Sequence, residues 1–429
     1  MNCLIGHLLT LIASPEPRIA QHSSRPLPSV LPSYSAIHFS MKLLILASHP
    51  VQYHAPVFRA VSDRLRAAGD ECVVVYLSDF SIQGYRDIEF GTSFAWDEPL
   101  LAGYSSRVVN ENQTQQPAGF KDLDAPGFGQ LLVEEQPDRV LVHSLNYRGA
   151  VWATILARLR GIPCTLRVET NDEAVARSPL KAKVRSLLYR LMYTLFDSAI
   201  AISTLNKDHV ITHGIDHKRV GLAYYCVPDR FIDIPNEEKQ RLRDSLRSEL
   251  ALGDRTTILF SGKLIPKKNP GLILDGIAQL SPDQQQRLAV IYLGSGELDK
   301  TLRMKAAQLP NVKVHFAGFK NQKELPPYYL AADAATLPSQ RAGETWGLVM
   351  NEAMQAGLPC IATDAVGSTV DFANVPNFQV IPIGDGVAMA RAIAQLIGIE
   401  RDFGRYREVM KHFSTDAAAS NIVKWLKQF

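Results

Sequence analysis

Residues 338–364 place two carboxylates near the predicted start of a helix. Glu344 lies in a glycine-containing loop, and Glu352 lies in the helix that follows. A loop that leads into a helix N-terminus is a natural anion site, because unpaired N–H groups and the helix dipole point toward it. Glu352 shares the apolar face of this helix with Leu348 and Val349, where a solvated glutamate is not expected. The pattern suits a ligand with phosphates and hydroxyls, such as a nucleotide-sugar; a structural cap or ion pair at Glu352 is the alternative.

A lysine-rich loop follows a predicted strand at 257–261. Gly262 permits close backbone approach, and Lys263, Lys267 and Lys268 place positive charge where the strand ends. A leaving diphosphate gains negative charge in the transition state, so a nucleotide-sugar site needs such charge. The alternative is a solvated loop that binds no ligand.

A third polar segment follows the predicted strand at 42–47. His49, Gln52 and Tyr53 come directly after this strand and are expected to line a cleft, since functional loops of parallel sheets follow the strands. In the alternative interpretation, Tyr53 and His54 merely begin a helix.

The elements that must position these loops follow from the pattern of apolar segments. Short strands that alternate with helices predict parallel sheets covered on both faces. The predicted strands are 42–47, 72–77, 139–142, 163–168, 198–202, 219–222, 257–261, 288–293, 312–316, 333–337 and 359–362. The predicted helices are 54–67, 148–160, 180–194, 204–213, 269–280, 297–308, 321–331, 346–356, 402–411 and 415–427. The expected fold class is α/β, with two doubly wound Rossmann-like domains that face each other across a cleft.

The domain bounds follow from breaks in this alternation. Residues 1–40 are expected to be a disordered or misannotated leader, because residues 14–40 are rich in Pro and Ser and an apolar strand begins at Met41. Pro228, Pro235 and a charged helix after them interrupt the pattern near the middle of the chain. The expected parts are an N-terminal acceptor-side domain at 41–228, a C-terminal nucleotide-sugar-binding domain at 229–411, and a helix at 412–429 that packs back toward the N-terminal domain.

Composition narrows the class of protein. With 429 residues, 46% hydrophobic and 21% charged, the chain has an ordinary globular mix and room for two or three domains. A net charge of +3 does not indicate nucleic acid as a partner, and none is expected. The five cysteines are scattered, and neither a C-x-x-C pair nor histidines at ligand spacing are recognised, which favours a reduced cytoplasmic protein without a metal site.

One predicted helix bears on whether the protein contacts a membrane. No segment approaches the roughly 18 apolar residues that span a bilayer. The helix at 180–196 is basic and amphipathic, however. It either covers a sheet or makes peripheral contact with the inner face of a membrane.

Five segments together resemble the GT-B-fold retaining glycosyltransferases of family 4, also called glycosyl transferases group 1. Glu344-Thr-Trp-Gly-Leu-Val-Met-Asn-Glu352 resembles the family segment E-G-F-G-L-V-x-x-E, and Gly262-Lys-Leu-Ile-Pro-Lys-Lys268 resembles G-R-L-x-x-x-K. Segments 332–339 and 138–143 resemble two family strands, and 47–59 resembles a branch with an H-P-x-Q-Y first loop. Two positions depart from the pattern: Lys263 replaces an arginine and loses its bidentate fork, and Thr345 replaces a glycine.

The resemblance implies a role for each matching residue. Lys263 and Lys268 would bind the donor diphosphate, Glu344 the transferred sugar, and His143 would face that sugar from the other domain. The implied catalytic residues are Lys263, Lys268, Glu344 and His143. The implied donor-binding residues are Gly262, Thr345, Trp346, Gly347, Leu348 and Glu352. The implied cleft or acceptor residues are His49, Gln52, Tyr53, Arg167 and Glu169, where Arg167 and Glu169 form a structural ion pair in the alternative interpretation.

The resemblance implies an enzyme that moves a hexose-type sugar from a nucleotide-diphosphate sugar to an acceptor hydroxyl with retention. The acceptor would be a glycan, a lipid-linked molecule or a small molecule, in polysaccharide or glycolipid synthesis. No D-x-D cluster lies in a suitable loop, so neither a metal nor a cofactor besides the donor substrate is expected. The alternatives are another GT-B enzyme, such as a nucleotide-sugar epimerase, and a non-catalytic nucleotide-sugar-binding module.

Overall fold

The described residues of the chain form two parallel sheets. The computed structural model describes residues 40–82, 85–87, 92–94, 96, 98–113, 116, 117 and 119–429, without the side chains of 85–87 and 92–94. Residues from Ser40 to Phe429 form one compact unit. The expectation of a leader at 1–40 lies outside the described residues, apart from Ser40.

The strands fall into three groups by sheet. The first sheet contains β1 (Lys42–Ala47), β2 (Glu71–Ser78), β5 (Ser105–Asn110), β6 (Arg139–His143), β7 (Cys164–Arg167), β8 (Ser198–Ala201) and β9 (Val220–Leu222). The second contains β10 (Thr256–Ser261), β11 (Leu288–Leu293), β12 (Lys313–Gly318), β13 (Ala334–Leu337), β14 (Cys360–Thr363) and β15 (Phe378–Ile381). A short antiparallel hairpin is formed by β3 (Tyr85–Asp87) and β4 (Thr92–Phe94).

Both sheets are wound in the same way. The first has the order β5-β2-β1-β6-β7-β8-β9 and the second the order β12-β11-β10-β13-β14-β15, with parallel pairing throughout. In each, the winding direction reverses beside the first strand, as in a doubly wound fold. The central strands are apolar along their whole length because helices cover both faces, and Leu43, Leu44 and Ile45 are completely buried. The predicted α/β class with two Rossmann-like sheets is confirmed.

Helices connect the strands. In the first half they are α1 (Ala55–Ala67), α2 (Phe128–Glu135), α3 (Arg148–Leu159), α4 (Pro179–Tyr193) and α5 (Thr204–Thr212). Those of the second half are α6 (Asn236–Glu249), α7 (Gly271–Ile277), α8 (Pro282–Gln286), α9 (Asp299–Ala306), α10 (Leu325–Ala331), α11 (Leu348–Gln355), α12 (Thr369–Phe372), α13 (Gly386–Leu396), α14 (Arg407–Met410) and α15 (Thr415–Leu426). Within the described residues, none of these helices has the length and apolar character needed to cross a membrane.

The last helix returns to the first sheet. Ile422 and Leu426 of α15 are buried in the same apolar cluster as Leu43 and Ile45 of β1. A side-chain carbon at Gly221 of β9 would come within 2.6 Å of the Trp425 ring, so the helix lies directly on this strand. The domain bounds inferred from the sequence stay predictions.

Candidate active site

The two sheets contribute to one cleft at the points where their winding reverses. The reversal lies between β1 and β6 in the first sheet and between β10 and β13 in the second. Ligands of doubly wound sheets bind outside the strand ends at such points, because the flanking loops diverge there. A cleft of about 490 Å³ is lined by loops from both halves of the chain. The predicted site residues that line it are Gln52, Tyr53, Glu169, Gly262, Lys263, Lys268, Glu344, Thr345, Trp346, Gly347, Leu348 and Glu352.

Two glycine turns form the floor beside the lysines. Gly262 follows β10 with a φ of 147°, and Gly294 follows β11 with a φ of 144°. A side-chain carbon at Gly294 would lie 2.0 Å from the carbonyl oxygen of Gly262, so only glycine fits this approach. The contact holds the start of the lysine loop against the neighbouring turn, and the charges of Lys263 and Lys268 are thereby presented to the cleft.

Lys268 and Glu344 meet across the second half of the cleft. The Lys268 ammonium is paired with the Glu344 carboxylate, which also accepts a hydrogen bond of 3.0 Å from the Ser339 hydroxyl. The side chains of Lys268 and Glu344 are only 23% and 13% exposed. The loops after β10 and β13 therefore place an ammonium and a carboxylate side by side, where one can meet a phosphate and the other a hydroxyl.

The start of α11 supplies backbone groups to the same cleft. Gly347 precedes the helix with a φ of 93°, and a side-chain carbon there would lie 2.7 Å from Val366 and 2.8 Å from Leu337. Trp346 is buried, and its indole N–H donates to Oδ1 of Asn351 at 2.7 Å. The Trp346 side chain thus fixes the helix start, and the N–H groups of the first turn remain the natural anion donors.

Glu352 lies one turn further along α11. Its carboxylate accepts a hydrogen bond from the hydroxyl of Tyr329, a residue of α10. Burial raises the pKa of Glu352, although this hydrogen bond and the charge of Arg230 act in the opposite direction. Burial leaves the Glu352 carboxylate partly desolvated, although it still lines the cleft. A ligand hydroxyl that donates a hydrogen bond to it compensates for the lost hydration.

The loop after β1 divides its side chains between the cleft and the interior. Gln52 and Tyr53 line the cleft, and the Oε1 atom of Gln52 is buried without a hydrogen-bond partner among the described residues. His49 differs from the expectation, because its ring packs against Phe80 with the centroids 4.4 Å apart and its Nδ1 lies 3.0 Å from the hydroxyl of Ser48. Burial lowers the pKa of His49 to about 4, with a smaller contribution from His54.

A hydrogen-bonded network of the first half borders the cleft. The Nε2 atom of His54 lies 2.6 Å from the Tyr225 hydroxyl, which donates to Oε1 of Glu169 at 2.5 Å. The His143 ring packs against that of His54 with the centroids 4.1 Å apart. Burial lowers the pKa of both histidines. Burial acts to raise the pKa of Glu169, but hydrogen bonds from His54 and Tyr225 bring it below its usual value. Near neutral pH the imidazoles are therefore neutral and the carboxylate is charged.

His143 and Arg167 line a second, smaller cavity rather than the main cleft. This space of about 270 Å³ shares Glu169, Gly343 and Thr345 with the main cleft. His143 ends β6 and is only 4% exposed, because its ring packs against those of His54 and Phe58. Arg167 is equally buried and donates to the carbonyl of Ala223 at 3.0 Å, which anchors the loop after β9. His143, expected to face the transferred sugar, therefore lines the cavity beside the main cleft, and its role stays a prediction.

Other residues of the cleft did not stand out in the sequence. Tyr225 joins the network although 171 positions separate it from His54. His54 had been considered only as a helix start, yet it both precedes α1 and bonds to Tyr225. Lys267 and Gln340 also line the cleft, and the Gln340 N–H donates to the Lys267 carbonyl at 2.8 Å. The sequence had indicated Lys267 only as one of three loop lysines, without a role of its own, and it gave no signal for Gln340.

Comparisons with known proteins agree with this architecture. The family described as Glycosyl transferases group 1 matches residues 243–412, and the Glycosyl transferase 4-like domain matches residues 54–225. The GDP-mannose-dependent alpha-(1-6)-phosphatidylinositol monomannoside mannosyltransferase of Mycolicibacterium smegmatis is 23% identical over 351 residues, 78% of this chain and 80% of that protein. D-inositol 3-phosphate glycosyltransferase 2 of Catenulispora acidiphila is 29% identical over 322 residues, covering 71% and 69%. The crystal structure of Anabaena HepE with UDP and glucose superposes with a TM-score of 0.65 at 18% identity, covering 91% of this chain and all of that one.

Proposed function

The chain belongs to the group 1 glycosyltransferases, and from this premise we propose that it moves a hexose-type sugar from a nucleotide-diphosphate sugar to an acceptor hydroxyl with retention of configuration. The observation that carries the proposal is the pairing of Lys268 with Glu344 inside a cleft that residues from both sheets line. The complex of HepE with UDP and glucose supports a nucleotide-sugar as donor.

The diphosphate has its natural place at the lysine loop and the start of α11. Lys263 and Lys268 supply positive charge, and the N–H groups of Trp346 and Gly347 precede a helix whose dipole favours an anion. Charge on the departing diphosphate grows as the bond to the sugar breaks. Fixed positive groups therefore stabilise the transition state more than the bound donor, which is the condition for faster chemistry.

The two glutamates are assigned to the hydroxyl-bearing ends of the donor. Glu344 lies beside the ammonium of Lys268, so it accepts from hydroxyls of the transferred sugar when Lys268 binds phosphate. Glu352 lies one turn into α11 and accepts from ribose hydroxyls, as it already accepts from Tyr329. A carboxylate at each end fixes the donor at two points and orients the sugar carbon toward the acceptor.

Transfer itself is proposed to occur on one face of the sugar. The bond from the sugar carbon to the diphosphate oxygen breaks, the bond to the acceptor oxygen forms, and the acceptor proton passes to the departing diphosphate. This route needs neither a protein nucleophile nor a metal ion. The protein contributes charge, positioning and exclusion of water, and closure of the two halves over the donor would serve all three.

The acceptor is proposed to be a glycan or a lipid-linked molecule of polysaccharide or glycolipid synthesis. Support comes from α4, where Leu180, Leu187 and Leu191 are 73%, 70% and 68% exposed among several basic residues. Exposed leucines with basic neighbours suit the surface of an anionic membrane, and a cytoplasmic protein would meet this surface at the inner face. The variant L187S/L191S should lose binding to phosphatidylglycerol vesicles, whereas L159S, which changes a 76% exposed leucine of α3, should not. Equal binding of both variants would remove the membrane from the proposal.

Donor binding is tested directly by thermal shift and product analysis. Nucleotide-sugars are screened for stabilisation of the folded protein, because a ligand that binds only the folded state raises its melting temperature by mass action. A true donor should stabilise the wild type and the exposed control variant K300A, but not K268A or E344Q. An epimerised nucleotide-sugar instead of a transferred sugar, or stabilisation that is equal in all four proteins, would contradict the proposed function.

A further inference from the structure

A second cluster of chemistry-bearing side chains lies outside the cleft. It consists of Asp172, in the loop after β7, and of His209 and His213, at the C-terminal end of α5. The Nδ1 atom of His209 and the Nε2 atom of His213 each lie 3.0 Å from the same carboxylate oxygen of Asp172. The candidate ligand atoms of all three residues lie within 4.8 Å of one another. Two imidazole nitrogens and one carboxylate oxygen therefore lie close enough together to bind a common ligand.

The outer ring nitrogens of both histidines are held in place. The Nε2 atom of His209 lies 2.9 Å from the Tyr193 hydroxyl, and the Nδ1 atom of His213 lies 3.1 Å from the Ser186 hydroxyl. Both hydroxyls belong to α4. An imidazole whose outer nitrogen is fixed by a hydrogen bond has its other nitrogen oriented, which is the usual arrangement around metal-ligating histidines.

The inner nitrogen of His209 has an unusual environment. It is buried, and despite its closeness to Asp172 it has no hydrogen-bond partner among the described residues. A buried ring nitrogen without a partner in the protein is available to a ligand such as a metal ion.

We propose that Asp172, His209 and His213 bind a divalent first-row transition-metal ion such as Zn²⁺, with a fourth position open to solvent. Two imidazole nitrogens and a carboxylate are a ligand set that such ions prefer. Ligands about 2.1 Å from a tetrahedral ion lie about 3.4 Å apart, so each nitrogen, now 3.0 Å from the Asp172 oxygen, would need to move only a few tenths of an ångström relative to it. Asp172 is 47% exposed and gives the ion a path from solvent.

One neighbouring charge acts against the ion. Arg185 of α4 stacks on Tyr189 with its guanidinium carbon 4.9 Å from the ring centroid, and its charge reaches His209. The affinity is therefore expected to be lower than that of a closed zinc site with four protein ligands. The competing account is a proton in place of the metal, shared between the histidines and Asp172.

The position of the cluster gives the ion a structural role. Asp172 belongs to the loop that contacts the donor loop of the second half, where the Gly343 N–H donates to the Ala174 carbonyl at 2.8 Å. A bound ion would tie this loop to α5 and, through the hydroxyls of Ser186 and Tyr193, to α4. The proposal goes beyond the expectation of no metal, which considered the cysteines and the lack of a D-x-D cluster but passed over His209 and His213, one helical turn apart.

The test measures metal binding without reference to transfer activity. Protein produced without a histidine tag is stripped of metal and titrated with Co²⁺, whose visible absorption reports ligand geometry, and with Zn²⁺ in a thermal-shift series. The variants are D172N, which preserves shape, and H213Q. The matched control is H217Q, which changes an exposed histidine that also lies near an aspartate, with 3.2 Å between its Nδ1 and Asp216.

The expected result is saturable cobalt absorption and a zinc-dependent rise in melting temperature for the wild type and H217Q. D172N and H213Q should bind about tenfold more weakly or worse. Cobalt spectra of the wild type without tetrahedral or five-coordinate bands would overturn the proposal even if a variant failed to fold. Equal binding by H217Q, D172N and H213Q would do the same.

Discussion

Replacing Lys268 by alanine is expected to impair turnover far more than folding. In the free protein the Lys268 ammonium is paired with Glu344, and both side chains are largely shielded from solvent. After the substitution Glu344 still accepts from the hydroxyl of Ser339 at 3.0 Å, so it is not left without a donor. The loss of folding free energy should therefore be about 1 kcal/mol, the net value of one hydrogen bond whose acceptor keeps another donor.

The effect on kcat should be larger, because the positive charge of Lys268 acts where the leaving diphosphate gains negative charge. Removal of one such preorganised group typically costs 10² to 10³ in kcat, or about 3–4 kcal/mol. Single-turnover transfer assays with a saturating donor separate this loss from donor affinity. K300A, which removes an exposed lysine of α9, controls for net charge. A kcat for K268A within threefold of the K300A value would refute the assignment of Lys268 to the leaving group.

A double-mutant cycle tests whether the paired residues act together. If Glu344 also orients Lys268, E344Q alone should lower kcat, and E344Q/K268A should lose little more than K268A. Losses that simply multiply would assign the two residues to separate tasks, with Glu344 serving the sugar alone.

Three further predictions concern the scaffold. G294A should weaken donor binding at least tenfold in calorimetric titrations, because its new carbon would lie 2.0 Å from the Gly262 carbonyl oxygen; unchanged affinity would mean that the turn can shift freely. The pKa of His49 is lowered from 6.5 to about 4 in the folded state. Between these pH values the unfolded chain takes up a proton and the folded protein does not, so stability falls as the pH drops below 6.5. His49 accounts for about 2 kcal/mol of the free energy of unfolding that is lost from pH 7 to pH 5. Urea unfolding at the two pH values should therefore show a smaller loss for H49Q than for the wild type. An equal loss would contradict this prediction. D333A should lower the free energy of unfolding by about 3–5 kcal/mol, because two arginines of α6 lose their buried partner; a loss below 1 kcal/mol would show that these arginines reach solvent instead.

The strands that are buried on both faces could be predicted from the sequence. The strands β1, β6, β10 and β11 were found within one residue, since continuous apolar segments between turns are characteristic of central parallel strands. The edge strand β5 (Ser105–Asn110) was missed, because its polar and half-exposed residues give no such segment. The β15 strand and α13 were missed as well, although both are apolar; no functional motif drew attention to them.

The part of the site in the second half of the chain was easier to predict than the part in the first half. Lys263, Lys268, Glu344 and Glu352 lie in compact motifs directly after strands, and the strand direction determines which way such loops face. The loop after β1 bends at Ser48 and His49 and turns again at residues 52–54, so its side chains do not follow one simple alternation. Whether a given histidine of this loop enters the cleft or the core depends on partners such as Tyr225, and local spacing carries no information about them.

The two halves of the site are mechanically linked through the segment that carries Glu344. On one side of Glu344 the Gly343 N–H donates to the Ala174 carbonyl at 2.8 Å, and on the other the Asn171 amide donates to the Thr345 carbonyl at 3.3 Å. The segment that carries Glu344, the residue proposed to bind the sugar, is thus held on both sides by the first half. Movement between the halves must then change the position of Glu344 relative to its lysine partner. A ligand shifts the equilibrium between joined and separated halves only by its difference in affinity for the two arrangements. A donor that binds Lys268 and Glu344 together therefore favours the joined arrangement.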